Sequence, residues 1–133
     1  MKMVIFACVH NAGRSQMSAA FFNQLADPAK AKAVSAGTQP AEKVHSVVRD
    51  TMLEIGIDLS NAKPQKLTDE LALGADHLIT MGCGEQCPYV PGLKREDWPL
   101  RDPKDKPPAE VRAIRDEIKQ RVAEFVEREG WSR

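Results

Sequence analysis

The stretch VIFACVHNAGRS, residues 4–15, decides the expected fold. Its first half is β-branched and aromatic enough for a buried strand, which we predict over residues 3–9. Apolar side chains then recur at helical spacing, at Met17, Phe21 and Leu25. Because that spacing places them on one helix face, a helix is expected to start near Ser15. The stretch is therefore a strand, a short loop containing glycine, and the start of a helix.

Three later segments have strand character. Residues 31–37, AKAVSAG, predict a short second strand that stops at its glycine, and HLITMG, residues 77–82, predicts the clearest later strand. DWPL, residues 97–100, is a weaker candidate for a fourth strand. The sheet is therefore expected to contain about four strands.

Helical patterns alternate with these strands. One helix face is predicted by Val44, Val48, Met52 and Ile55, and Gly56 is expected to close that helix. Thr68, Leu71 and Leu73 suggest a further short helix. The longest helix follows Pro107-Pro108 and is expected to stop at Gly130. Its apolar stripe consists of Val111, Ile114, Ile118, Val122 and Phe125.

Strands that alternate with helices favour parallel pairing and helices on both faces of an open sheet. We therefore predict a single α/β domain spanning residues 1–133, with a small flavodoxin-like parallel sheet. In such sheets ligands bind beyond the carboxyl ends of the strands. Cys8 ends the first predicted strand, Cys83 directly follows another, and Asp102 lies just beyond the weak last candidate. These three groups are expected to meet at one edge of the sheet.

Composition excludes several function classes. The 19 Lys and Arg balance the 19 Asp and Glu, so no net field favours a nucleic-acid or membrane partner. No stretch approaches the roughly 20 apolar residues that span a bilayer. The apolar run at residues 3–9 leads into HNAGRS without a convincing signal-peptide cleavage region. We expect a cytoplasmic monomer, in which three cysteines fit reactive chemistry better than a disulfide scaffold.

The loop after Cys8 has the composition of an oxyanion site. A loop that enters a helix turns its N–H groups inward, and the helix N-terminus adds a positive dipole. Arginine adds paired hydrogen bonds to a tetrahedral oxyanion. The expected cradle consists of His10, Asn11, Ala12, Gly13, Arg14 and Ser15. Its field, with a hydroxyl from Ser15, should favour the thiolate of Cys8, which makes Cys8 a candidate nucleophile.

Plainer interpretations stay open at this point. A cysteine at a strand end is often a small buried apolar residue, and Arg14-Ser15 also suits the start of a solvated helix. His10 is better explained as a loop spacer than as a base. Asp102 lies in RDPKDKPP, a charged, proline-rich loop in which aspartates are usually solvated.

The sequence CVHNAGRSQM after VIFA resembles the phosphate loop of low-molecular-weight protein tyrosine phosphatases and of the arsenate reductases built on that fold. The resemblance extends through SAGTQPAEKVHS, EIGIDLS, HLITMGCGEQCP and KREDWPLRDP, and so covers nearly the whole chain. It implies that Cys8 is the nucleophile and that Arg14 binds the oxyanion. It also implies that Asp102, in Asp102-Pro103, is the general acid that protonates the leaving oxygen.

The stretch MGCGEQCP distinguishes between two possible activities, phosphomonoester hydrolysis and arsenate reduction. Hydrolysis of a phosphomonoester needs only Cys8, Arg14 and Asp102, and it has no use for Cys83 and Cys87. Resemblance to the three-cysteine arsenate reductases implies a disulfide relay, from Cys8 to Cys83 and then to Cys87. Arsenate would be the substrate, phosphate or sulfate would compete, and thioredoxin or another thiol donor would regenerate the enzyme. No tightly bound cofactor and no metal are expected.

Alternatives to the reductase remain. One is a low-molecular-weight phosphatase acting on phosphomonoesters, although Lys104 and Asp105 replace the aromatic residues that such phosphatases carry after Asp-Pro. Another is a noncatalytic, redox-sensing anion binder. Cys83 and Cys87 would also suit zinc with a histidine, or an inert core, but one close cysteine pair is a weak metal signal.

Overall fold

The computed structural model describes residues 1–81 and 92–133. Within these two ranges the chain forms eight elements. Their order is β1 (Lys2–Cys8), α1 (Arg14–Leu25), β2 (Ala31–Gly37), α2 (Ser46–Leu53), α3 (Asp69–Leu73), β3 (His77–Thr80), β4 (Lys94–Asp97) and α4 (Pro108–Arg128). The alternation predicted from the sequence is confirmed, and β2 has the predicted bounds.

The strands form one parallel sheet in the order β2-β1-β3-β4. The predicted open parallel α/β fold is therefore confirmed. β1 pairs with β2 along its whole length, so that Cys8 lies opposite Gly37, and it pairs with β3 on its other side. The order of the strands reverses between β1 and β3. The carboxyl end of β1 is therefore at the position where open parallel sheets bind their ligands.

Alternation along β1 divides its side chains between two cores. Val4, Phe6 and Cys8 belong to the larger core, together with apolar residues of α1, α2 and α4. Ile5 and Ala7 belong to a smaller core on the other face, against which Leu71 of α3 packs. Successive side chains of a strand point to opposite faces. Cys8 thus lies on the face that α1 covers.

The long helix α4 closes the larger core. Its predicted stripe is confirmed, because every member is at most 2% exposed. The stripe consists of Val111, Ile114, Ile118, Val122 and Phe125. Pro108 is the first helical residue, where its missing N–H costs no hydrogen bond. Gly130 follows the helix with φ +76°, as a helix-terminating glycine does. Across the described residues, no helix combines the length and apolarity needed to cross a bilayer.

The prediction of a strand at residues 97–100 is wrong. The fourth strand is Lys94–Asp97, and Asp97 is its last residue. β4 is the edge strand of the sheet, and all its side chains are charged. A pattern of apolar residues therefore does not detect it. Trp98 and Leu100 are buried because the loop after β4 folds onto the core. Pro99 has no N–H and cannot continue the ladder.

Candidate active site

Cys8 lies at the carboxyl end of β1 and is 3% exposed. Its Sγ is 2.9 Å from the Ser15 Oγ, and the Asn11 Nδ2 donates a hydrogen bond of 2.7 Å to the same Oγ. The Ser15 hydroxyl therefore accepts from Asn11 and has its own hydrogen left for the sulfur. A hydroxyl that donates to sulfur stabilises the thiolate relative to the thiol. This geometry suits a nucleophilic Cys8.

Asn11 holds the loop in its curled form. Its φ is +51°, in the left-handed region where asparagine is enriched. Its side chain is fully buried, and its Oδ1 accepts hydrogen bonds from the backbone N–H of Gln65 at 2.9 Å and from the Gln16 Nε2 at 3.2 Å. The orientation of Asn11, and through it that of Ser15, is thus fixed by groups on two sides of the loop.

Two glycines allow the loop to pack closely. A Cβ on Gly37, at the end of β2, would lie 2.6 Å from the Val9 carbonyl oxygen and 2.9 Å from the Asn11 nitrogen. A Cβ on Gly13 would lie 2.7 Å from the Cγ of Pro103. Side chains cannot occupy either space without displacing their neighbours. The loop is therefore pressed between the end of β2 and the segment that follows β4.

Arg14 is the first residue of α1, and the loop after β4 positions its guanidinium. The Nη1 donates to the Leu100 carbonyl oxygen at 3.0 Å, and the Nη2 is 3.7 Å from the Asp102 Oδ2. Within the described residues the Arg14 Nε is buried and has no hydrogen-bond partner. A buried charged donor without a partner is costly unless a ligand completes it. An oxyanion in the loop is the natural acceptor for this Nε.

Asp102 lies in a short turn, where it faces Arg14. Its Oδ1 accepts the backbone N–H of Lys104 at 3.0 Å, while its Oδ2 is the atom nearest Arg14. Its side chain is 47% exposed, and the next residue, Pro103, is buried against the loop at Gly13. The carboxyl group therefore has both a fixed position and access to solvent. Such a group is suited to exchange a proton with a bound ligand.

The two histidines near the loop differ. His10 directs its Nδ1 to the Gln39 carbonyl oxygen at 3.1 Å, and because a carbonyl only accepts, this nitrogen is the donor. His45 was not among the predicted site residues, yet its backbone N–H donates to the Ala12 carbonyl oxygen and its ring packs beside Gly13. Burial lowers the pKa of His45, and the opposing effect of the Asp102 carboxylate is smaller. The sequence pattern attributes Val44 and Val48 to a helix face and contains no local signal for their neighbour His45.

The predicted cradle and Asp102 therefore lie next to each other in the structure, although they are far apart in the sequence. Its residues are His10, Asn11, Ala12, Gly13, Arg14 and Ser15. Cys83 and Cys87 lie outside the described residues. Among the described residues, Cys8 is a free thiol, and no group of three or more His, Cys, Asp or Glu side chains is placed to hold a metal ion.

Comparison with known proteins gives one family and a consistent set of relatives. The family described as low molecular weight phosphotyrosine protein phosphatase matches residues 3–129. The chain is 41% identical to a putative arsenate reductase of Halobacterium salinarum over 127 residues, which cover 90% of this chain and 87% of that protein. It is 33% identical to arsenate reductase 2 of Staphylococcus haemolyticus, with 93% and 95% covered.

Solved structures agree with these relatives. A thioredoxin-dependent arsenate reductase of Corynebacterium glutamicum matches with a TM-score of 0.83 and 38% identity over 96% of this chain. The match spans only 61% of the Corynebacterium chain. An arsenate reductase of Archaeoglobus fulgidus matches with a TM-score of 0.80 and 32% identity, over 93% of this chain and 98% of that one. The likeness thus extends over nearly all of the chain in both sequence and fold.

Proposed function

Because the chain belongs to the low molecular weight phosphotyrosine protein phosphatase family, we propose that it is an arsenate reductase built on the fold of that family. The relatives named arsenate reductase match it over almost their whole length, at 41% and 33% identity. The enzyme reduces arsenate to arsenite through thiol chemistry that starts at Cys8. Phosphate and sulfate, which have the same tetrahedral shape, compete for the site.

One structural observation carries the proposal. The buried Arg14 Nε has no partner within the described residues, and Arg14 directly precedes Ser15, whose hydroxyl contacts the Cys8 sulfur. A site that holds a cationic donor for an oxyanion next to a supported thiol is suited to attack on the central atom of that oxyanion. Arsenate fits this site as a substrate.

The first step is a substitution at arsenic. The Cys8 thiolate forms a sulfur–arsenic bond, and one arsenic–oxygen bond breaks. Asp102, held near Arg14, gives a proton to the departing oxygen, which leaves as water. Arg14 and the N–H groups of the loop balance the negative charge of the arsenate oxygens. No electron is transferred in this step, and arsenic remains pentavalent.

The reduction is a relay among three cysteines. The Cys83 thiolate attacks the Cys8 sulfur, and the electron pair of the sulfur–arsenic bond stays on arsenic, which departs as arsenite. Cys87 then attacks Cys83, which frees Cys8 and leaves a Cys83–Cys87 disulfide. Each transfer is an ordinary thiolate–disulfide exchange or its arsenic equivalent. The two later cysteines enter this proposal from the sequence and the family, since they lie outside the described residues.

An external dithiol completes the cycle. Its two thiols reduce the Cys83–Cys87 disulfide and are themselves oxidised to a disulfide. The thioredoxin-dependent relative from Corynebacterium supports thioredoxin as this donor. Because the relay needs thiols that stay reduced between turnovers, we place the enzyme in the cytoplasm.

The test is a coupled assay. Arsenate-dependent NADPH consumption is followed with thioredoxin and thioredoxin reductase, for the wild type, Cys8→Ser, Cys83→Ser and Cys87→Ser. We expect wild-type turnover and no arsenite from the first two variants. Cys87→Ser should release one arsenite per protein and then stop, because no further cysteine of the chain is left to pass the disulfide on from Cys8, which is only 3% exposed, to the thioredoxin.

Hydrolysis of an aryl phosphate by the same proteins is the control, and it also tests the phosphatase alternative. Hydrolysis should be lost in Cys8→Ser and retained in Cys83→Ser, which shows that the loop is intact. If the wild type reduces no arsenate with any thiol donor but hydrolyses aryl phosphates, the reductase proposal is wrong and the phosphatase is correct.

A further inference from the structure

The carbonyl groups of the loop that follows Cys8 are held from outside the loop. The segment between β2 and α2 donates backbone N–H groups to them. The pairs are Thr38 to Cys8 at 3.3 Å, Gln39 to Val9 at 2.8 Å, Ala41 to His10 at 2.9 Å and His45 to Ala12 at 2.9 Å. In a trans peptide the C=O and the N–H of the next residue point in opposite directions. Each carbonyl that is drawn towards this segment therefore turns the following N–H away from it.

Asn11 is missing from this series, and the side chain of Gln16 takes the place of the segment there. The Gln16 Nε2 donates to the Asn11 carbonyl oxygen at 3.0 Å and to the Asn11 Oδ1 at 3.2 Å. An amide nitrogen carries two hydrogens, one for each of these oxygens. Because a backbone carbonyl only accepts, the atom of Gln16 that faces it must be the nitrogen. Gln16 thus holds the backbone and the side chain of Asn11 at once.

This contact is buried. Gln16 lies in the first turn of α1 and is 6% exposed, and Asn11 is fully buried with a φ of +51°, which is uncommon for a residue with a side chain. Loss of the Gln16 amide would leave a buried carbonyl without this donor, which is costly enough to shift the peptide. The Asn11 Nδ2 would then no longer be held at the Ser15 Oγ, which is 2.9 Å from the Cys8 sulfur.

We propose that Gln16 is a positioning residue for both parts of the active site. It holds the peptide between Asn11 and Ala12 so that the Ala12 N–H points towards a bound oxyanion, and it holds Asn11 where Ser15 donates to the Cys8 sulfur. Its amide neither gives nor takes a proton near neutral pH, so it acts through Asn11 alone. The inference rests on the proposed roles of Cys8 and of the oxyanion loop, but it does not depend on which oxyanion reacts.

Gln16→Met tests this role, because methionine has nearly the same length and no hydrogen to donate. Cys83→Ser and Cys87→Ser are added to every protein compared, so that Cys8 is the single thiol and its alkylation by iodoacetamide is followed against pH. We expect the midpoint of this pH dependence to move upwards by about 0.5–1 pH unit, which corresponds to the loss of one hydrogen bond. Inorganic phosphate, measured by calorimetry, should bind about two- to tenfold more weakly.

Gln16→Glu should have a larger effect in the same direction. It keeps the shape of the side chain but places a carboxylate opposite the two oxygens of Asn11, and it adds a negative charge near the thiolate and the oxyanion. Gln16→Ala removes the amide without adding an acceptor, and it gives the same test should Gln16→Met not fold.

Gln120→Met is the matched control. Gln120 lies on the exposed side of α4, where its Nε2 donates to the Glu124 Oε1 at 3.3 Å. Both the alkylation midpoint and the affinity for phosphate should remain at the values of the protein without a glutamine substitution. The free energy of unfolding is measured for every variant, because a purely structural role of Gln16 would change that quantity alone.

Two results would overturn the inference: an unchanged alkylation midpoint and phosphate affinity in a folded Gln16→Met protein, or changes that Gln120→Met reproduces. Arsenate reduction is measured separately, in the protein with all three cysteines. If Gln16 controls the thiol and phosphate binding but this protein reduces no arsenate, the proposed reductase fails and the role of Gln16 stands. If arsenate is reduced and neither measurement responds to Gln16, the role of Gln16 fails and the reductase stands.

Discussion

At the scale of single residues, Asn11 and Gly37 shape the site without offering a reactive group. Asn11 donates to the Ser15 hydroxyl and accepts from the backbone of Gln65, so it connects the thiol to a segment far along the chain. Gly37 lies under the loop, where the Val9 carbonyl and the Asn11 nitrogen leave no space for a side chain. The position of the Cys8 thiol therefore depends on the side-chain amide of Asn11 and on the absence of a side chain at Gly37.

Gly37→Ala should therefore damage both the stability and the activity of the protein. Its Cβ would lie 2.6 Å from a backbone oxygen, and backbone cannot rotate away as a flexible side chain can. We expect a loss of about 1–3 kcal/mol in the free energy of unfolding, as for other overpacked sites. Because the loop must move, kcat/KM for arsenate should fall as well, which the coupled assay measures.

Gly74→Ala is the control for that substitution. The nearest atom to its Cβ is 3.7 Å away and its φ is −84°, which any residue adopts. Its stability and activity should remain near those of the wild type. Equal damage from both alanines would show that close packing at Gly37 is not what matters.

At the scale of elements, one buried arginine joins α2 to α4. Arg115 is 8% exposed, and its Nη1 donates to the Thr51 carbonyl oxygen at 2.8 Å and to the Glu54 Oε1 at 3.2 Å. Arg112, one turn earlier, pairs with the same Glu54 but is 47% exposed. α2 begins directly after His45, so the docking of α2 on α4 also supports the segment whose His45 ring packs beside Gly13.

Arg115→Gln should lower the free energy of unfolding by about 1–3 kcal/mol, because it leaves the buried Thr51 carbonyl without its partner. Arg112→Gln should have a smaller effect, since exposed ion pairs are screened by water and salt. Urea denaturation of both variants compares them directly. An Arg112 variant that is as unstable as the Arg115 variant would contradict this assignment.

At the scale of the whole molecule, the two ends of the sheet have different roles. The carboxyl ends of the strands carry the candidate active site, while an aromatic cluster packs around the start of β3. There the His77 ring meets Trp131 edge-on at 5.3 Å between centroids and Phe125 at 5.6 Å. Its Nε2 is 3.6 Å from the Glu129 carboxylate. Burial lowers the pKa of His77 more than this carboxylate raises it.

His77 should make the fold sensitive to mild acid. Its folded-state pKa is below the ordinary value of 6.5, so the unfolded chain binds the proton more readily. The free energy of unfolding is then unaffected by this group above that value and falls as the pH decreases below it. His45 acts in the same direction, because its pKa is also lowered by burial. We expect the free energy of unfolding to decrease as the pH falls below about 6.5, the ordinary histidine pKa.

Urea titrations followed by tryptophan fluorescence measure this dependence, since Trp131 contacts His77. His77→Gln should reduce the slope of unfolding free energy against pH, and the double variant with His45→Gln should reduce it further. The test compares this slope and not the absolute free energy of unfolding, which the substitutions also change. An unchanged slope in the double variant would show that the acid sensitivity has another origin.

Local patterns predicted much of this molecule. The bounds of β2 and the stripe of α4 follow from residues close together in sequence. The strand at Lys94–Asp97 was missed, because an edge strand keeps its charges and has no apolar alternation. His45 was missed too, since its contacts with the loop come from packing and have no local signature.

By itself, the sequence determined the strand–loop–helix at Cys8, the alternation of elements and the family to which the chain belongs, because each depends on residue types at short spacing. Only the tertiary structure decided that Asp102 faces Arg14, that Gln65 holds Asn11, and that the lysines after Pro103 share a recess with His45. These pairs are far apart along the chain. Their contacts are set by the order of strands in the sheet and by how closely the loops pack, which no local pattern records.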